Sequence, residues 1–342
     1  MGESLFWIYI FNVVVNSTIS FISTILLVEL FAFIFRVQHP RLKAICRALP
    51  FIKICFDLSL YHLSDWALLH GVNPLLAEVG TRQLSILFNP FIEIQFSMLD
   101  GKTFSIADVL ALSFVQNWVK FISSVAVLGS GITIAIHLLR TYQNKLYASG
   151  ILRCSRPISF PDINPSLKEW LKNKHIIIAA SNEVTSPCII SSTILFPESL
   201  ITILSQEEVS AVIAHEIAHY HWKDCFLRRF CGFVGSIFWW IPTSWWQKRM
   251  EDMQEQASDT MICHFGISPF SLAEAVLKTA KNVKNTQCMY GVPFIGQRQA
   301  LHKRILRICS KQKPVSAKWK IIQCSLVFSG LLSILLGRFC IL

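Results

Sequence analysis

Charge is what this chain has least of. Asp, Glu, Lys and Arg make up 15% of its 342 residues, against roughly 25% in an ordinary soluble domain. No internal repeat and no low-complexity linker interrupts it. With an apolar share of 53%, these absences exclude disorder, collagen-like sequence and a coiled coil. The 11 cysteines, an odd number, include no CxxC pair, so neither a disulfide framework nor a cysteine zinc site is indicated. They read as reduced thiols and apolar filler. What remains is strongly apolar, with 25 Phe, 10 Trp and a mean hydropathy of +0.47. One or two soluble cores cannot hide that much apolar surface. An integral membrane protein with one water-facing domain is expected.

From Leu5 to Phe35 the sole charge is Glu29. A bilayer core of ~30 Å needs about 20 helical residues, so 5–35 reads as a first span. It is too long for a signal peptide and lacks the basic stretch that would precede one. Phe121–Leu139 is free of charge, and an apolar lead-in from Ile106 makes 106–139 a second clear span. Ile321–Leu336 is a third, bracketed by Lys318, Lys320 and Arg338, so that 321–338 forms a C-terminal transmembrane helix.

Placing the charges along the chain adds a fourth. Arg36, Arg41, Lys43, Arg47 and Lys53 follow one another with no acid between them. Residues 72–105 carry a net −1, whereas 140–320 carry 23 Lys/Arg against 13 Asp/Glu. Basic sequence flanking apolar spans marks cytoplasmic loops rather than a nucleic-acid surface, so no direct nucleic-acid binding is expected. Both basic regions belong in the cytoplasm, which requires a crossing between them at 51–71. Lys53, Asp57 and Asp65 weaken that segment. Ionisable groups at such depth face the bundle interior, and Asp57, Tyr61 and Asp65 share a helical face. The expected layout is N-terminus outside, a membrane region over 1–139 with three spans, a cytoplasmic domain over 140–320, and the last span, all in the cell (inner) membrane.

Within 140–320, His175–Ala180 and Cys188–Phe196 read as strands separated by the turn-rich Ser181–Pro187. After Pro197 the pattern becomes helical, which makes the domain α+β. Ser205-Gln206-Glu207-Glu208 fits a capping box, and the helix it starts contains His215-Glu216-Ile217-Ala218-His219. Histidines at i and i+4 lie on one helical face, so both imidazoles reach one cation. Glu216, one residue on, can touch a metal-bound water without ligating the metal. Two imidazoles and a carboxylate with an open fourth position suit Zn2+.

The third ligand is sought in Glu251–Asp259, a polar helical stretch. Glu255 is preferred, with Asp259 one turn on as a carboxylate that orients a ligand histidine. Glu251 competes on the same face. His221 falls on the wrong side of its helix, and His264 reads as an ordinary surface or core histidine. Between the two helices lies Phe230–Trp246, 17 residues without a charge and with four Trp. It reads either as a buried hairpin of the domain or as a segment seated at the membrane interface.

These residues resemble the bacterial membrane zinc peptidases of the BlaR/MecR antirepressor type. The resemblance runs from about Ser186 to Ile308. It takes in Ile194-Leu195-Phe196-Pro197, the HEIAHYHWKD stretch with Asp224 five residues after His219, Phe238-Trp239-Trp240-Ile241-Pro242, the Glu255 and Asp259 pair, and Lys303-Arg304-Ile305. It implies a multi-pass α-helical membrane protein with a cytoplasmic α+β, gluzincin-like HExxH zinc peptidase domain. By it, His215, His219 and Glu255 hold zinc, Glu216 is the catalytic acid/base, and Asp259 and Asp224 stand behind the ligands. The implied activity is a zinc metalloendopeptidase that cuts a protein substrate such as a transcriptional repressor. The chain reaches Leu342 just past the last span, so a penicillin-sensor domain is not expected. The heat-shock and CAAX-type membrane proteases share HExxH and ExxxD, which keeps a quality-control protease as an alternative. A non-catalytic zinc-binding transducer is the third reading, and Glu216 speaks against it.

Overall fold

The computed structural model describes residues 2–69, 95–97, 103–105, 113–286 and 294–310, with 325, 329, 330 and 332 besides. Its first helices are α1 (Gly2–Ile34) and α2 (Pro40–Leu69). They pair through the edge-to-face rings of Phe21 and Phe51, 5.4 Å apart. The segment expected to span at 51–71 is the second half of α2, a helix that begins eleven residues earlier, at Pro40. Lys53 and Asp57 of this segment are turned inward: Asp57 accepts from Lys53 Nζ at 2.8 Å and from Ser20 Oγ of α1 at 2.7 Å. Buried charge is tolerated only when paired in this way.

Helix α3 (Ser113–Cys154) has 42 residues, about 63 Å at 1.5 Å per residue. That is twice a bilayer core, so the boundary expected at 139/140 falls inside one continuous helix. Among the described residues, two helices are long and apolar enough to cross a membrane: Val13–Ile34 and Phe114–Cys154. Helix α2 is not among them, because its charges interrupt every window. The strands β1 (Gln95–Ser97) and β2 (Thr103–Ser105) pair antiparallel within the loop expected outside, most of which lies outside the described residues. So does most of the span expected at 321–338. There Gly330 meets the Phe31 ring of α1 so closely that a Cβ would overlap it.

A four-stranded mixed sheet follows, in the order β3 (Arg156–Pro157), β4 (Ile177–Ser181), β6 (Thr193–Pro197), β5 (Cys188–Ile190). β4 and β6 run parallel, and β5 closes an antiparallel hairpin on β6. The single strand expected over Cys188–Phe196 is therefore two. Ser191 takes a left-handed φ of 55°, and the polar Ser191-Ser192 pair turns the chain where the apolar run is interrupted. The strand expected at His175 starts at Ile177, since His175 also has a positive φ of 52°.

The remaining helices are α4 (Pro165–Asn173), α5 (Glu198–Ile201), α6 (Gln206–His221), α7 (Asp224–Ile237), α8 (Thr243–Met261), α9 (Pro269–Thr286) and α10 (Phe294–Cys309). Helix α6 is buried along most of its length against the sheet and α9, with Ile213 and Ile217 fully enclosed beside Ile194, Phe196 and Leu272. Each such side chain contributes roughly 1.5–3 kcal/mol relative to exposure. That packing fixes the helix carrying the two histidines.

The tryptophan-rich segment forms the hairpin of α7 and α8, and it packs on α1, α2 and α3. Val234, Phe238, Trp246 and Met250 share one core with Phe21, Phe51 and Ile54. The Trp246 indole donates to Arg47 O at 2.7 Å. At the tip, Trp239 Nε1 donates to Ala126 O, while Ser130 and Thr133 hydroxyls donate to Ile237 O and Ser236 O. Gly129 makes room for the Trp239 indole, which a Cβ would overlap. The tip is thus level with the charge-free part of α3.

Candidate metal centre

Helix α6 starts where the sequence says it should. Ser205 Oγ accepts from Glu208 N at 3.3 Å, and the Glu208 carboxylate accepts from Ser205 N at 2.7 Å. Lys278 of α9 pairs with the same carboxylate at 2.7 Å. Burial alone would push the Glu208 carboxyl up, but Lys278 and the Ser205 N–H outweigh it and hold it below the ordinary range. The helix start is therefore tied to the domain core.

Two and a half turns on, the buried His215 and His219 face each other, with their Nε2 atoms 3.2 Å apart. Glu255 of α8 completes the set: its Oε2 lies 3.5 Å from His215 Nε2 and its Oε1 3.5 Å from His219 Nε2. Tetrahedral ligation with bonds of about 2.0–2.1 Å separates donor atoms by roughly 3.3–3.4 Å. Among the described residues this is the trio that could hold one metal ion, with one ligating atom from each side chain within 4.8 Å of the others. Glu251, one turn before Glu255, instead accepts from Gln247 Nε2 at 2.9 Å. His221 is exposed near the Trp170 ring, and His264 is exposed as well.

Each imidazole is held from behind by a carboxylate. His219 Nδ1 donates to Asp224 Oδ2 at 2.9 Å, with Ser258 Oγ 3.2 Å from the same nitrogen. His215 Nδ1 lies 3.1 Å from Asp259 Oδ1, an ion contact too bent for a hydrogen bond. Ionised carboxylates only accept, so each Nδ1 carries a proton and each Nε2 is the atom left to ligate, at His215 once its second proton is shed. Lys223, at φ 54°, reverses the chain between α6 and α7 and sets Asp224 in the first turn of α7. Left-handed backbone at a lysine is uncommon and marks a constrained turn.

Arginines ring this arrangement. Arg304 of α10 donates to both Asp259 oxygens, at 2.7 and 3.2 Å, and its Nη2 lies 3.6 Å from Glu255. Arg228 of α7 donates to Glu255 Oε1 at 2.9 Å and to Gln254 Oε1 at 2.7 Å. Arg41 of α2 holds Asp224. Burial would raise Glu255 and Asp259, yet His215 and Arg304 outweigh it and hold both carboxyls below their usual range. Burial would lower His215, but Asp259 and Glu255 carry it up to about 9. None of the three arginines carries a local signal of its own, although Arg304 sits in the familiar Lys-Arg-Ile stretch.

The trio opens into a cleft of about 440 Å3. Glu216 lines it, half-buried, and burial pushes its carboxyl up despite the neighbouring histidines. Leu272 and Val276 line it with apolar side chains, as do Cys188 and Ile189 of the edge strand β5. A larger cavity of about 620 Å3 lies at the α1–α2 elbow, away from the histidines.

A family model, the BlaR1 peptidase M56 family, matches residues 15–308. The chain belongs to that family. Membership makes it a metallopeptidase, a hydrolase that acts on protein and uses a metal ion, and the His215, His219 and Glu255 cluster could hold one. With the two apolar helices, it points to a BlaR1-like membrane protein. No curated protein matches the chain.

Proposed function

We propose that the chain is a multi-pass membrane zinc endopeptidase with a gluzincin-like cytoplasmic domain, cutting a cytoplasmic or membrane-proximal protein in a regulatory pathway. His215, His219 and Glu255 hold the zinc, and Glu216 moves protons. One observation carries this reading: two imidazole nitrogens and the Glu255 carboxylate converge, one oxygen 3.5 Å from each Nε2, both histidines are backed at Nδ1 by carboxylates, and Glu216 opens into the same cleft.

Bound zinc would supply Lewis acidity, making its water a nucleophile near neutral pH and polarising the scissile carbonyl. Glu216 takes the proton from the attacking water and delivers it to the departing amine. Burial, by raising its carboxyl, moves it toward the working pH where such a shuttle is efficient. Asp224 and Asp259 keep both imidazoles in the tautomer that ligates. Arg304 and Arg228 keep Glu255 ionised. Among the described residues β5 is an edge of the sheet and lends Cys188 and Ile189 to the cleft, so an extended peptide added there as a further strand would run beside the centre, which suits an endopeptidase. A repressor-like protein fits a domain expected in the cytoplasm, with spans at 5–35, 51–71, 106–139 and 321–338.

The test is a pair of variants. Glu216→Gln should retain stoichiometric zinc and lose proteolysis, while uncut substrates accumulate on it. His219→Ala should lose both metal and activity. Zinc loss in Glu216→Gln as complete as in His219→Ala would make Glu216 a ligand and overturn the assignment.

A further inference from the structure

Behind His219 the chain of contacts does not end at Asp224. Asp224 is 1% exposed, and while its Oδ2 accepts from His219, its Oδ1 accepts from Arg41 Nη1 of α2. Arg41 also donates from Nη2 to Trp222 O at 3.0 Å and lays its guanidinium 5.0 Å over the Trp222 ring. It therefore grips both the carboxylate and the turn that presents it, from 183 positions away in sequence. Arg228, one turn along α7, acts on Asp224 through space without bonding to it. The His215 arm has the same order, arginine to aspartate to histidine, but its arginine comes from α10. Of the two arms, it is the His219 arm whose aspartate is gripped by an arginine side chain of α2.

A buried aspartate without its cation is costly by several kcal/mol. It would turn to water or take up a proton, and in either case His219 Nδ1 would lose its ionised acceptor. Groups of this kind set ring orientation and tautomer, and their loss typically weakens metal binding about 10–100-fold.

We infer that Arg41 is a positioning residue of the metal centre, holding Asp224 against His219 so that metal affinity depends on how α2 seats against the α6–α7 turn. This rests on the proposed zinc site and extends it to a means of regulation: a shift of α2 would be felt first at one ligand imidazole.

The full chain in detergent, stripped of metal, decides it. Zinc affinity is measured by competition with a chromophoric chelator, and the cobalt-substituted visible spectrum reports ligand geometry. Arg41→Ala should bind zinc about 10–100-fold more weakly and shift the cobalt bands. Arg41→Lys, which restores a cation beside Asp224, should recover most of the affinity. Adding Arg41→Ala to Asp224→Asn should cost little beyond Asp224→Asn alone, as for residues acting in one chain. Lys43→Ala, which removes a charge from the same basic stretch, should match the parent. If Arg41→Ala does not fold, Arg41→Gln, which keeps a donor without the charge, reads the same loss. Parental affinity and spectrum in Arg41→Ala or Arg41→Gln would overturn the inference, as would an equal loss in Lys43→Ala. Parental zinc binding in His219→Ala would instead overturn the metal site itself.

Discussion

Glu251 and Glu255 stand one turn apart on α8, yet they have different partners. Glu255 spans both histidines at 3.5 Å, whereas Glu251 is taken by Gln247 at 2.9 Å. Glu255→Ala should therefore yield metal-free protein at ordinary zinc concentrations, and Glu251→Ala should remain loaded. Metal content of the two purified variants checks this, and the reverse pattern would move the ligand role to Glu251.

The histidine that must shed a proton to bind metal is held up at about 9 by Asp259 and Glu255. Protons and metal then compete below that pH, while Glu255 and Asp259 stay ionised throughout. Apparent zinc affinity should rise about tenfold per pH unit from 6.5 to 8.5 for the one proton released. Chelator competition at three pH values, with calorimetry in two buffers, measures both the slope and the proton. A flat profile with no proton release would contradict it.

Glu208 links the start of α6 to α9 through Lys278. Its folded-state carboxyl lies below the ordinary range, so its contribution is present above that range and is lost as pH falls through the folded value. Glu208→Gln should lower the stability of metal-free protein by about 1–2 kcal/mol at pH 7, from the cap and the charged hydrogen bonds. The gap in melting temperature should close as pH falls below the ordinary carboxylate range. A gap that persists there would assign the effect to packing.

The charge asymmetry of the loops predicts opposite sides of the membrane. A reporter fused after Lys145 should register cytoplasm, and one inserted near Asp100 the outside. Both on one side would remove the crossing at 51–71.

What the sequence made legible is local. The capping box and the i, i+4 histidines fix α6 because each depends on residues within one or two turns. Glu255 was narrowed to a helical face but not separated from Glu251, since the choice depends on how α8 lies against α6. The hairpin β5–β6 was hidden inside one apolar run, where only Ser191-Ser192 betrays the turn. Arg41, Arg228 and Arg304 were illegible as site residues. Their partners are set by tertiary packing, and in a basic stretch such as Arg36–Lys53 an arginine gripping an aspartate reads no differently from one facing solvent.

The α7–α8 tip hangs from α3 at Ala126, Ser130 and Thr133. From Thr243 to Glu255, α8 climbs about 18 Å at 1.5 Å per residue, and half a hydrocarbon core is about 15 Å. With the 106–139 span in the bilayer as proposed, and α8 directed along the membrane normal, the cutting centre would be a blade set at fixed height, just clear of the lipid. Height then becomes a selection rule alongside sequence. A scissile bond tethered within a few residues of a membrane anchor would meet the blade directly, and a freely diffusing protein would have to be drawn flat against the surface to be cut at all.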